Sequence, residues 1–269
     1  LLVFISLFIT LFQKNIPLGS KLALIRVEGP IIDSKDTVDE IKEYAEDNSI
    51  KAIVLRVDSP GGAVAPSQEI YEEVKKAVAK KKVIVSMGSL AASGGYYISA
   101  PATKIIANPG TLTGSIGVIM EVPNVEGLMN KLGIKTEVIK SGKHKDIASA
   151  FRSMGKEERK ILQGVMDNVH EQFIRAVSEG RKIRLEEVRK IADGRIFTGE
   201  QAKTCGLVDE LGTLEDALKT AAALAGLKEE PEVVSRKDKF SVIDLLRNKF
   251  PKEIADIFPT VKIKYLFSP

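Results

Sequence analysis

Short, nearly unbroken apolar runs alternate along this chain with stretches in which apolar residues recur every three or four positions. Residues 21–27, 51–57, 83–85 and 104–107 are runs of the first kind. They are rich in β-branched residues and barely alternate, which predicts strands of a sheet covered on both faces. Between them lie helical spacings. Val38, Ile41 and Tyr44 form one, with Ser34 or Asp36 as its cap; Ile70, Val74, Ala77 and Val78 form another, over about 66–80. Three lysines at 80–82 close that helix and offset its dipole. Alternating strands and helices through residue 140 predict an α/β fold, because parallel strands need crossover helices between them.

Beyond residue 117 the pattern shifts. A short run at 118–120 precedes a helix over 124–132 and a strand over 136–139, then a polar loop at 141–146. From 157 to 180 Ile161, Val165, Val169, Phe173 and Val177 recur in register, so this is a long amphipathic helix. A shorter helix over 185–192 follows, and Thr198-Gly-Glu-Gln201 is a capping box that opens another. A last helix spans 213–224, and 226–238, charged and containing Pro231, reads as a linker. A helix over 242–250 and an alternating strand over 261–267 complete the chain. The main domain is therefore expected over 21–226, with 227–269 as an extension. At the other end, residues 1–12 are apolar apart from Ser6 and Thr10. A spanning helix needs about 20 apolar residues, so 1–13 is read as the C-terminal part of a membrane anchor, joined by a linker at 14–20.

Composition narrows the function classes. The chain has 269 residues, 44% of them hydrophobic, and a net charge of only +4. Its lysines are scattered among glutamates with no basic stripe, which argues against nucleic acid. Cys205 is the single cysteine, so no intrachain disulfide can form. No cofactor or metal is expected.

The chemistry centres on Val83-Ile-Val-Ser-Met-Gly-Ser-Leu-Ala-Ala-Ser-Gly-Gly-Tyr-Tyr97. Small residues from Gly88 to Gly95 follow the strand, and Tyr96, Tyr97 and Ile98 suit a short buried helix. Ser93 thus stands where a strand gives way to a helix. Amides at a helix start lack intrahelical acceptors, so they can bind a developing oxyanion beside a serine nucleophile. A second glycine pair, in Asp58-Ser-Pro-Gly-Gly62, follows another buried strand and lets backbone approach a ligand. Gly62 and Gly94 would together make an oxyanion hole. For the base there are two histidines: His170, on the long helix and expected at the surface, and His144 in the polar loop. A lysine serves instead if burial keeps it neutral, and Lys140, Lys143 and Lys145 are the local candidates.

Five stretches occur in order: Asp58-Ser-Pro-Gly-Gly62, Ala92-Ser-Gly-Gly-Tyr-Tyr97, Thr113-Gly-Ser-Ile-Gly-Val118, Lys140-Ser-Gly-Lys-His-Lys-Asp146, and Gly199-Glu-Gln-Ala with Gly206-Leu-Val-Asp-Glu-Leu-Gly212. Together they resemble the signal peptide peptidase A family of membrane-anchored serine proteases, in its short single-copy form. The resemblance implies a ClpP/crotonase-like fold and a Ser-Lys dyad. By motif it makes Ser93 the nucleophile, Lys145 the general base, Ser115 the residue orienting the lysine, and Gly62 and Gly94 the oxyanion donors. Gly61, Ala63 and Val64, with Ile116, Gly117 and Val118, would line the substrate path by pairing with an extended peptide. The expected substrates are hydrophobic peptides, chiefly residual signal peptides at a cell membrane, with the catalytic domain outside the cytoplasm. In the long form of the family two tandem copies share their residues, which implies a homo-oligomer with shared sites here. A protease of the NfeD/stomatin-partner type, a crotonase-like acyl-CoA-binding protein and an inactive membrane scaffold are the alternatives.

Overall fold

A computed structural model describes residues 20–227, 231–236 and 263–266. The expected anchor at 1–13 and the helix at 242–250 lie outside them. The apolar runs become parallel strands: β1 (Lys21–Glu28), β2 (Ile50–Ser59), β4 (Lys82–Ala92) and β5 (Lys104–Ala107). These pair side by side, flanked by β9 (Glu210–Leu211) beyond β5 and by β10 (Glu232–Val234) beyond β1. From the far end of β4, β6 (Leu112–Gly114) continues the pairing in parallel and takes β8 (Ile196–Thr198) antiparallel.

The absence of alternation in β2 has its cause in two cores. Ala52 and Val54 point to one face, where Leu22, Leu24, Ile84 and Ile106 meet Ala217, Ala221 and Ala222 of the helix Leu214–Leu224. Ile53, Leu55 and Val57 point to the other, against α1 (Lys35–Glu46), α2 (Val64–Lys80), α3 (Gly94–Ser99) and, past α4 (Glu126–Lys131), α5 (Lys156–Arg181). Two short helices, α6 (Leu185–Ile191) and α7 (Gly199–Thr204), precede α8 (Leu214–Leu224). The capping box at Thr198 and Gln201 forms, and Thr213 with Asp216 makes a second one at α8. Ser34 takes the N-cap position of α1, but its hydroxyl donates to Glu69 instead of capping.

Several expectations are corrected. The strand read at 83–85 runs on to Ala92, through the small residues expected to follow it. Gly88 is small because a Cβ there would lie 2.6 Å from the Asp58 carboxylate, so its reason is close packing inside a strand. Residues 136–139 form no strand; Val138 and Ile139 are exposed, with no strand paired to them among the described residues. The stretch read as a linker at 226–238 supplies β10, whose Leu22↔Val233 register extends the main sheet. On α5, Phe173 and Val177 are buried while Ile161 and Val165 are exposed, so only its C-terminal half enters the core.

A second, three-stranded sheet sits apart. β3 (Gly61–Ala63) and β7 (Ile119–Met120) both pair antiparallel with β11 (Ile263–Leu266), which lies between them. This is the described part of the strand expected at 261–267.

Phe173 anchors α5: it is fully buried and meets Tyr97 edge-on with ring centroids 4.9 Å apart. Phe173→Ala should cost about 3–5 kcal/mol of stability, read as a lower urea midpoint at unchanged m-value.

Candidate active site

β4 delivers Ser93 to the start of α3 in a conformation few serines adopt, φ 54° and ψ −116°. Its own backbone holds it there. The amide donates to the Gly114 carbonyl at 2.8 Å, and its carbonyl accepts the Tyr97 amide at 2.8 Å. Such strain costs about 1–3 kcal/mol and persists only when the surroundings enforce it. The residue is 1% exposed, and its hydroxyl makes no hydrogen bond among the described residues.

The glycines around it are set by contact. A Cβ on Gly94 would lie 2.7 Å from Ser67 Oγ, 3.0 Å from Gly61 Cα and 3.1 Å from the Gly62 amide nitrogen. A Cβ on Gly95 would meet the Ser59 carbonyl at 2.7 Å, and one on Gly62 the Ile31 carbonyl at 2.0 Å. The two glycine pairs therefore touch, with Gly62 and Gly94 side by side. Ser59 shapes the first turn, donating to the Gly29 carbonyl at 2.6 Å and accepting the Gly61 amide at 3.1 Å. Ser67 donates to the Ala63 carbonyl at 2.9 Å while packing under Gly94. Neither serine was given a role from the sequence, although Ser59 stands in the first of the five motifs.

Ser115 joins them through the sheet. Ala92 pairs with Gly114, so Ser93 and Ser115 follow adjacent strand ends. Ser115 also has positive φ, 50°, and its amide donates to the Arg195 carbonyl at 2.8 Å. It borders a cleft of about 480 Å³ shared with Gly117, Val118, His170 and Asp193. His170, expected at the surface, is half-buried there, its Nε2 3.2 Å from the Ile116 carbonyl. Ile116 itself is buried. Gly61, Gly62 and Ala63 form β3 and Val64 opens α2, so this side of the expected substrate path borders β11 directly. On the other side the pairing begins one residue beyond Val118, at Ile119.

Lys145 stands elsewhere. It is exposed in the loop before α5, and its ammonium makes no hydrogen bond or ion pair among the described residues. The other candidate bases are engaged: Lys140 with Asp146, Lys143 with Glu157, and His144 Nε2 at 3.5 Å from Glu157. Arg152 was not anticipated. It bonds Asp146 at 2.7 Å and also Glu158, beside a cleft of about 520 Å³. The Arg152 guanidinium, then the Lys140 ammonium, hold the Asp146 carboxyl far below the usual carboxylate range. Arg152, then the Gly155 amide, bring Glu158 down to about 2. Carboxyls lowered by folding contribute stability above their unfolded values, lost as pH falls through the folded ones. The carboxylates' contribution to holding the loop is therefore complete above the usual carboxylate range and is lost progressively as pH falls from there toward about 2. Burial pushes the Tyr97 phenol up to about 12, so the aromatic floor beneath α3 stays neutral.

The model of "Peptidase family S49" matches residues 75–228. The chain belongs to peptidase family S49. With that it is a serine peptidase, and the acyl-CoA-binding and scaffold alternatives fall away. It is 48% identical over 208 residues to "Putative protease slr0021" of Synechocystis sp., covering 77% of this chain and 75% of that one. A "Putative signal peptide peptidase SppA" of Enterococcus faecium is 38% identical over 74% of this chain and 62% of its own. "Protease 4" of Salmonella typhi is 37% identical over 90% of this chain, which spans 40% of that protein. The family resemblance carried by the five motifs is borne out. The ClpP-like fold is borne out as well: a point mutant of ClpP1 from Listeria monocytogenes superposes with a TM-score of 0.50 at 20% identity, over 77% of this chain and 98% of its own. The S49 match contains Ser93, Ser115 and Lys145, whereas Gly62 precedes it.

Because a Cβ on Gly94 would lie 3.0 Å from Gly61 Cα and 3.1 Å from the Gly62 nitrogen, besides 2.7 Å from Ser67 Oγ, Gly94→Ala should push the two amides apart by some tenths of an ångström. We expect kcat on a peptide substrate to fall about 10²–10³-fold while the protein stays folded by circular dichroism.

Proposed function

We propose that this S49 peptidase is an endopeptidase with Ser93 as nucleophile and Lys145 as general base, acting on hydrophobic peptides, chiefly residual signal peptides. The observation that carries the reading is the strained Ser93, backed by the touching Gly62 and Gly94. In this mechanism a neutral lysine amine takes the Ser93 proton as Oγ attacks the scissile carbonyl carbon. The Gly62 and Gly94 amides stabilise the resulting oxyanion. The lysine then returns the proton to the departing amine, and water hydrolyses the acyl-enzyme by the same route. Ser115 orients the lysine. No metal or organic cofactor enters any of these steps.

Extended peptides suit the site because β3 and β7 present edges that an antiparallel strand can pair with, as β11 does. β11 also contacts α3, the helix that Ser93 caps. A substrate and this segment then compete for one slot. Tyr265→Pro removes an amide donor from β11. It should lower KM for a peptide substrate at unchanged kcat; equal KM in both proteins would argue against the shared slot.

The exposed position of Lys145 favours a site completed by a second copy of the chain. Most of the exposed large apolar side chains among the described residues fall between 119 and 165, the segment that carries this lysine. An assembly that buried this segment would also desolvate the lysine, which favours its neutral form. Membrane placement rests on the apolar residues 1–12; no helix among the described residues is long and apolar enough to span a bilayer.

The test is complementation. Ser93→Ala and Lys145→Ala should each abolish hydrolysis of a signal-peptide panel followed by mass spectrometry. Co-expressed, they should regain up to about a quarter of wild-type activity, because that share of random interfaces joins an intact serine to an intact lysine. Mixed oligomers that stay inactive would refute the shared site, and an active Ser93→Ala protein would refute the nucleophile.

A further inference from the structure

A general base must be held to a fraction of an ångström, yet Lys145 lies in a stretch, residues 132–155, with neither helix nor strand. Apolar packing does not supply the rigidity, since Val138, Ile139 and Phe151 are exposed and only Ala150 nearby is buried. Polar contacts hold the stretch, such as Ser153 Oγ to Glu126 at 2.7 Å and the Val125 amide to the Ala150 carbonyl at 2.8 Å, and beside Lys145 they converge on one guanidinium.

Arg152 has five N–H donors, and the structure gives each an acceptor. Nε donates to the Asp146 carboxylate at 2.7 Å. One terminal nitrogen donates to Glu158 Oε2 at 2.8 Å and to the Ser153 carbonyl at 3.2 Å. The other donates to Glu158 Oε1 and to the Asp146 carbonyl at 3.1 Å. Arg152 therefore grips both the side chain and the backbone of the residue that follows Lys145. Its other hold, Glu158, is nearly buried in the first turn of α5 and caps that helix by accepting the Gly155 amide at 2.9 Å. The C-terminal half of α5 is rooted in the core by Phe173, Ile174 and Val177. A rigid path thus runs from the core along α5 and through Arg152 to the backbone beside Lys145.

We propose that Arg152 is the positioning residue for the general base, fixing Lys145 by clamping Asp146 to Glu158; the proposal rests on Lys145 being that base. Only arginine satisfies this arrangement. A lysine would bring the charge but neither the planar fork nor enough directed donors to serve two carboxylates and two carbonyls. The clamp touches no substrate, so its loss should appear in turnover and not in binding.

The experiment uses the full chain and a fluorogenic peptide, with kcat, KM and the rate of fluorophosphonate labelling of Ser93 measured for Arg152→Lys, Arg152→Ala, Asp146→Asn and Lys145→Ala. Arg152→Lys should lose about 100-fold in kcat with KM within about threefold, and labelling should slow in proportion. Ethylguanidinium added to Arg152→Ala should restore part of the turnover. Asp146→Asn keeps the shape of its side chain and should show the same turnover loss, so it carries the test where Arg152→Ala fails to fold. Wild-type kcat in Arg152→Lys and Asp146→Asn, beside an inactive Lys145→Ala, would overturn the clamp and leave the base in place. A kcat loss that vanishes on assay well below each variant's thermal midpoint would mark a role in stability alone and would also overturn it. An active Lys145→Ala would remove the base itself, and the clamp with it.

Discussion

The arrangement around Ser93 depends on the contact between two glycine turns from different strands. Gly94 meets Gly61 and Gly62 so closely that a methyl group on it would press on both and on Ser67 Oγ. β2 and β4 are neighbours in register over most of their length, and both end at this contact. The geometry of Ser93 depends on it, because the serine is held at positive φ by hydrogen bonds to Gly114 and Tyr97 on either side. A strained residue can be kept only by a framework more rigid than itself. Here that framework is a sheet with buried apolar cores on both faces, whose central strands β2 and β4 lead into the two glycine turns of the site.

The two halves of the proposed catalytic apparatus are stabilised by different physics. Ser93, Ser115 and the glycine amides sit at strand ends, where backbone hydrogen bonding and close packing fix atoms. The loop with Lys145 has few buried apolar groups and is organised by charge. Asp146 gathers Lys140 and Arg152, and Glu157 and Glu158 at the start of α5 gather Lys143, His144 and Arg152. Exposed ion pairs contribute little singly, but Arg152 joins two shielded carboxylates with a saturated fork, and such networks impose geometry as well as energy. A loop held in this way can be rigid locally while its apolar surroundings remain open to another surface.

Between the two halves runs the three-stranded sheet. β3 carries Gly62 and β7 follows Ser115 closely in sequence, so any strand lying between them passes the helix that Ser93 begins. Backbone pairing is indifferent to side-chain identity, which suits the varied peptide sequences proposed as substrates. It equally admits a segment of the chain itself.

The sequence by itself determined the layer order and the chemical inventory. Unbroken β-branched runs at 51–57 and 83–85 announced a doubly covered sheet, and spacing on 157–180 announced the long helix, because both signals are local and periodic. Ser93 and the glycine pairs were legible for a similar reason, since a strand-to-helix junction of small residues is written in consecutive positions. Only the tertiary structure decided the rest. Gly88 read as lying beyond the strand because smallness has the same signature whether it ends a strand or allows a close approach, and only Asp58 in the next strand tells them apart. Residues 136–139 have the pattern of a strand but no partner within the described chain, and β10 and β11 found partners in strands far away along the sequence. Arg152 was invisible as a clamp because its acceptors, Asp146 and Glu158, are ordinary acidic residues until folding brings both to one guanidinium. Local patterns record what a segment prefers, whereas pairing, close contact and charge convergence depend on which distant segments arrive beside it.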